Sequence, residues 1–208
     1  MPVLYLATTN PGKIREFREA AQHIALELES FPNLKSIPAP VEDGETFEDN
    51  ARIKAEYYSR LLPAELVLAE DSGLCVDELN GAPGVYSARY AAILRNGTGT
   101  HTNSSDEDNN RALIAQLERL SPQNRAGKYV SVIALAREGK VLKTFSGEAH
   151  GTLLTEPRGT GGFGYDPLFY FPSAQKTFAE LALDEKRRYS HRGNAIRSFV
   201  EWASANRL

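Results

Sequence analysis

Two carboxylates, Glu70 and Asp71, stand side by side where an apolar run, Leu66, Val67, Leu68 and Ala69, gives way to Ser72 and Gly73. A short apolar run ending in turn residues reads as a buried strand, and open α/β sheets bind ligands where such strands end. Successive strand residues face opposite ways, so the two acids share one site only if the chain has already turned. One of the pair is therefore expected to do chemistry. On these residues alone the plainer reading is favoured, a polar strand end with Asp71 capping a turn with Ser72 and Gly73.

A second group lies near the N-terminus, where a predicted strand, Val3 to Ala7, runs into Thr8, Thr9, Asn10, Pro11, Gly12 and Lys13. Asn10 suits an N-cap and Pro11 the first helical position, so a helix starts here, turning Ile14, Phe17, Ala20 and Ala21 inward. Free N–H groups at such a terminus, with Lys13 beside them, make a phosphate seat. With one glycine it is not a Walker loop. A plain capped helix with a solvated Lys13 explains the residues equally well.

A third group, Gly159, Thr160, Gly161, Gly162, Phe163 and Gly164, fits the dinucleotide pattern G-x-G-x-x-G. That pattern must follow a strand and open a helix, whereas Pro157 precedes it and Pro167 keeps Asp166 out of a helix. The dinucleotide reading is rejected. Four glycines in six residues still bring the backbone close to something, with Phe163 either a stacking platform for a base or a core side chain. Finally, Ser190 caps a last helix whose first residues are His191 and Arg192. Cations there oppose the helix dipole and suggest an anion or an acceptor-rich ligand.

These groups need a scaffold. Thr46 and Asp49 form a variant capping box opening a helix in which Phe47, Ala51, Ala55, Tyr58 and Leu62 make the buried face and Lys54 lies off it; Pro63 ends it. The acids before it, Glu42, Asp43 and Glu45, read on their own as solvated. Leu74 to Val76 reads as a separate short strand, residues 96–110 as a mobile polar loop, and Asn109 to Leu120 as a helix closed by Pro122. His101 in that loop is given no role. Tyr129 to Arg137 and Lys140 to His150, joined at Glu138 and Gly139, form a β-hairpin. Leu168 to Phe171 is a further strand, and Thr177 with Glu180 a further capping box. The expectation is an α/β fold with a mixed sheet and flanking helices, split into two lobes with a cleft between them.

Composition narrows the classes. At 208 residues, 41% hydrophobic and 25% charged with a net charge of -3, the chain is an ordinary globular protein without a nucleic-acid-coating surface. A single cysteine, Cys75, excludes an internal disulfide framework, and no signal sequence or run of about 18 apolar residues is present. The reading is cytoplasmic, with no membrane and no nucleic-acid partner.

Taken in order, Thr8 to Lys13, Thr46 to Ala51 with Lys54, Glu70 to Leu74, Gly81 to Tyr90, Gly159 to Pro167 and Ser190 to Gly193 resemble the inosine triphosphate pyrophosphatase family. Six motifs in sequence over nearly the whole chain are highly specific where each alone is weak. The resemblance implies one elongated α/β domain, 1–208, of two lobes around a central nucleotide-binding cleft. It also implies a homodimer that hydrolyses ITP, dITP and XTP to monophosphate and pyrophosphate with Mg²⁺, clearing aberrant purines from the nucleotide pool.

Carried over by position, Thr8, Thr9, Asn10, Pro11, Gly12 and Lys13 hold the triphosphate, together with Lys54. Asp71 is proton acceptor and Mg²⁺ ligand, with Glu42 as the second ligand, and Ser72 contacts substrate. Phe163, Gly164, Tyr165 and Asp166 grip the base, Lys186 the phosphate side, and His191 with Arg192 the base edge. Arginine only donates, so Arg192 pairs with a 6-keto oxygen and rejects the amino group of adenine. The family often has two acids just before the Gly-x-Thr-Phe segment; here the run is Val41, Glu42, Asp43, Gly44. A pyrophosphatase for other modified nucleotides and a non-hydrolysing regulatory module are the alternatives. Against the module, an acid among phosphates is repulsive without metal.

Overall fold

The computed structural model describes residues 3–21 and 27–206. Seven strands form one mixed sheet: β1 (Val3–Leu6), β2 (Glu27–Ser30), β3 (Leu66–Val76), β4 (Ala126–Arg137), β5 (Lys140–Leu153), β6 (Phe169–Phe171) and β7 (Lys176–Thr177). Their order is β2-β1-β3-β4-β5-β6-β7, with β1 parallel to both β2 and β3, and β6 antiparallel to both β5 and β7. Six α-helices accompany them: α1 (Pro11–Ala21), α2 (Phe47–Leu61), α3 (Tyr90–Asn96), α4 (Asp106–Leu117), α5 (Leu183–Tyr189) and α6 (His191–Asn206).

The chain divides into two compact units, and β3, β4 and β5 each run from one into the other. The first comprises Met1–Asp71, Ser131–Glu148 and Arg187–Leu208; the second Ser72–Val130 and Ala149–Lys186. Each has its own core. In the first, Leu4 and Leu6 of β1, Leu66 and Leu68 of β3, and Ile133 and Leu135 of β4 meet Phe17 of α1 and Phe199 of α6. In the second, Tyr129, Phe169 and Phe178 cluster, Tyr129 and Phe178 stacking at 5.8 Å, against Leu113 and Leu117 of α4. Burying such side chains contributes about 1.5–3 kcal/mol each.

Local signals place most elements. Asn10 caps α1, and the reciprocal capping box of Thr46 and Asp49 opens α2 as expected. Glu138 and Gly139, at φ 53° and 73°, turn β4 back into β5, the primed turn geometry that matches strand twist. Gly147 lets α6 lie flush on β5, because a Cβ there would collide with the His191 carbonyl and the Ala195 nitrogen. The expected inward turn of Ala20 and Ala21 lies outside the described side chains; Phe17 is buried.

Three expectations are corrected, and one strand is added. Residues Leu66 to Val76 form one continuous strand of 11 residues rather than two strands parted by a turn. The polar loop ends at Ser105, whose hydroxyl caps α4 with Asp106, Glu107 and Asp108 in its first turn, so the helix begins three residues before Asn109. Thr177 ends β7, and its amide bonds to Glu180 within a turn, while the helix starts only at Leu183. β2, four residues long and mostly exposed, was not assigned from the sequence and pairs along β1.

Candidate active site

Because β3 does not turn at Asp71, its pleat sends the two acids in opposite directions. Each finds a different set of cations within the first unit. Glu70, 3% exposed, accepts from Arg192 Nε at 3.0 Å and from Ser131 Oγ at 2.7 Å, and pairs with Lys13 Nζ at 3.0 Å. The Arg192 guanidinium also grips Glu16, one turn beyond Lys13 on α1. Burial alone would raise the Glu70 carboxyl, but Arg192 and Lys13 hold it well below the usual range. The same two acids outweigh burial at Arg192 and hold its charge firmly.

Asp71 faces α2. Its Oδ1 accepts from Lys54 Nζ at 2.8 Å, and the same nitrogen touches Glu42 Oε2 at 2.7 Å. Asn50, four residues before Lys54 and therefore on the same helix face, accepts from the Gly44 amide at 2.9 Å and leans on Asp71 Oδ2 at 3.5 Å. It thereby pins the loop that carries Glu42. Burial pushes the Asp71 carboxyl up, and the neighbouring Glu42 adds to this against the pull of Lys54 and Lys13. Asp71 and Glu42, both bound to one cation, form a two-carboxylate donor set that suits Mg²⁺, which takes one or two carboxylates and fills its remaining positions with phosphate and water. Among the described residues no group of three or more His, Cys, Asp or Glu could hold a metal by itself.

At the start of α1, Asn10 Oδ1 accepts from the amides of Gly12 at 2.9 Å and Lys13 at 3.2 Å, while Thr8 Oγ1 accepts from the Asn10 amide. Two of the N–H groups expected for a phosphate are thus held by the cap. Thr8, Thr9 and Pro11 line a groove of about 840 Å³ with Arg15, Arg18 and Lys35, which does not include Lys13, Lys54 or Asp71.

The second unit holds the glycine loop. Gly159, Gly162 and Gly164 all have positive φ, and a Cβ at Gly162 would strike the Asp166 carboxylate. Asp166 is buried, accepts from the Phe163 amide at 2.9 Å and pairs with Lys186 Nζ at 2.6 Å. That ammonium lies 4.9 Å from the centre of the Phe163 ring, a cation–π distance. Phe163 is half-buried and outside the core cluster. The first turn of α4 grips the loop from the side: Asp106 accepts from the Gly164 amide at 2.7 Å, and Asn110 donates to its carbonyl at 3.0 Å. Tyr165, buried, donates to the Ser87 carbonyl. Ser72, half-buried, follows Asp71 on β3.

The structure therefore joins Lys13 to Glu70 and Arg192, Lys54 to Glu42 and Asp71, and Phe163 to Asp166 and Lys186. His191 is buried at the start of α6. Arg192 and Lys186, expected to face a ligand, are 1% and 4% exposed and engaged by carboxylates. Glu16, Asn50, Ser131, Asp106 and Asn110 were not anticipated. Helical spacing would have found Glu16, three residues after Lys13, and Asn50; Ser131 and the α4 residues meet their partners only through folding.

The Ham1 family profile matches residues 4–202. A dITP/XTP pyrophosphatase of Acidobacterium capsulatum is 50% identical over 194 residues, covering 93% of this chain and 94% of that one. One of Thermus thermophilus is 43% identical, covering 94% and 89%. Among solved structures, a HAM1 protein from Coxiella burnetii superposes with a TM-score of 0.83 at 35% identity, covering 99% of this chain and all of that one. With its mixed sheet, its flanking helices and this match from end to end, the chain belongs to the Ham1 family.

Proposed function

We infer that the chain is a nucleoside triphosphate pyrophosphohydrolase that converts dITP and XTP to monophosphate and pyrophosphate. The carrying observation is its likeness, over more than nine-tenths of its length, to proteins of that activity. The Glu42–Lys54–Asp71 cluster supports the same reading, since it sets a carboxylate pair and a cation together. ITP belongs to the same substrate class.

The residue roles follow from charge and reach. Lys13 and Lys54 neutralise the triphosphate, with Thr8 to Gly12 alongside it. Asp71, its carboxyl raised by burial, accepts the proton of the water that attacks the α-phosphorus, with pyrophosphate as leaving group. Glu42 and Asp71 would hold Mg²⁺, which supplies charge neutralisation and polarises the phosphate oxygens. Ser72 contacts the substrate, Phe163 stacks on the base, and Gly164, Tyr165 and Asp166 complete its grip. Lys186 serves the phosphate side from its place under Phe163. His191 and Arg192 read the base edge; for Arg192 this takes a donor beyond the Nε and Nη1 groups bound to Glu70 and Glu16. The enzyme acts as a cytoplasmic homodimer without nucleic-acid or membrane partners. Among the described residues no helix is long and apolar enough to cross a membrane.

The test is pyrophosphate release from ITP, dITP, XTP, GTP, ATP and CTP by the purified protein, with Mg²⁺ and then with EDTA. Mg²⁺-dependent release from ITP, dITP and XTP is expected. Binding without release would favour a regulatory module, and release from a pyrimidine would overturn the assignment of the base-reading residues.

A further inference from the structure

Lys54 occupies an unusual position for a residue assigned only to phosphate. Its ammonium sits on one oxygen of Glu42 and one of Asp71, at 2.7 and 2.8 Å, with the three side chains 12%, 32% and 12% exposed. Those are the two carboxylates that fit a divalent cation. Two acids brought together in such a place repel each other, and the ammonium that touches both offsets that repulsion. An ammonium and a divalent cation cannot share the same oxygens, because they repel strongly at that range with little water between them.

We propose that Lys54 is a resident counter-cation that stands in the metal position and yields it when a triphosphate draws the ammonium away, so that nucleotide and divalent cation bind cooperatively. The proposal rests on the reading of Glu42 and Asp71 as the metal-holding pair. Lysine is suited to the exchange, carrying a compact charge on a flexible four-carbon stem. The stem starts from α2, which the Thr46 cap and Asn50 hold in register with the Glu42 loop through bonds that do not involve the ammonium. A triphosphate offers Lys54 new anionic partners, and its oxygens would complete the shell of a cation held by Glu42 and Asp71. By linkage, the nucleotide then tightens the metal as much as the metal tightens the nucleotide.

The experiment titrates Mn²⁺, followed by the loss of its free-ion electron paramagnetic resonance signal, into the full chain with and without α,β-methylene-ITP, which resists cleavage. The wild type is expected to bind Mn²⁺ weakly alone and about tenfold or more tightly with the analogue. Lys54→Met is expected to bind Mn²⁺ alone about tenfold more tightly than wild type and to gain little from the analogue. Lys54→Gln repeats the measurement with a polar side chain, and a thermal melt of each variant confirms folding. Folded Lys54 variants that bind Mn²⁺ no better than wild type, or a wild type indifferent to the analogue, would overturn the proposal. Glu42→Gln and Asp71→Asn separate the two levels: if neither weakens Mn²⁺, the metal-holding pair itself is wrong.

Discussion

Glu70 and Asp71 are adjacent on one strand and carry the same charge, yet the fold gives them opposite environments. Glu70 is enclosed by Arg192, Lys13 and Ser131 and held as a carboxylate well below its ordinary range. Asp71 is bound by Lys54 and leans on a distant amide, feels Lys13 from farther off, shares Lys54 with Glu42, and is raised. Strong pairing makes an acid a poor proton acceptor and a good strut, whereas a raised carboxyl is the better proton acceptor. Glu70 thus organises Lys13 and α6, and Asp71 is the acid that we propose accepts the proton.

If that division is right, exchanging each acid for its amide has separable effects. Asp71→Asn should cut kcat for XTP by about a thousandfold, the size of a lost general base, while leaving the thermal midpoint nearly unchanged. Near-normal turnover would make the two acids equivalent and end the argument. Arg192→Met should act on stability as well, costing about 3 kcal/mol or more in urea unfolding, because the two buried acids lose the guanidinium they share. A stability loss under about 1 kcal/mol would show that the cluster is not a strut.

The acid limb of stability gives a third check. Glu70 has an ordinary value near 4.5 and a folded value well below it, so between the two the unfolded chain binds more protons. Its contribution is therefore complete above about pH 4.5 and lost as pH falls toward the folded value. In Glu70→Gln this part of the pH profile of unfolding should flatten. An unchanged profile would assign the acid sensitivity to other groups. A smaller effect is expected in the second unit, where Phe163→Ala should raise KM for XTP about tenfold with little change in kcat, as loss of one stacked base predicts. An unaltered KM would leave Phe163 as packing against Lys186 alone.

Much of this was legible in the chain itself. The caps at Asn10, Thr46 and Ser190, the hairpin at Glu138 and Gly139, and the ordered motifs rest on contacts a few residues apart, which local residue types specify. The α4 cap at Ser105 was equally local but lay hidden in a polar stretch. β2 was missed because its four residues hold a single apolar side chain, Leu28, too short a stretch for a period of two to stand out.

The site divides along the same line. Local sequence showed that Glu70 and Asp71 belong to a strand and must point apart if it continues, and that Lys54 lies off the buried stripe of its helix. Which acid met which cation depended on residues far along the chain: Lys54 is 17 positions from Asp71, and Arg192 is 122 from Glu70. Such pairs form only when α2 and α6 pack beside β3, and their energies depend on burial, which no run of neighbouring residues records. The residue types and their alternation were written in the chain. Their division into a firmly paired acid and a raised one came from packing.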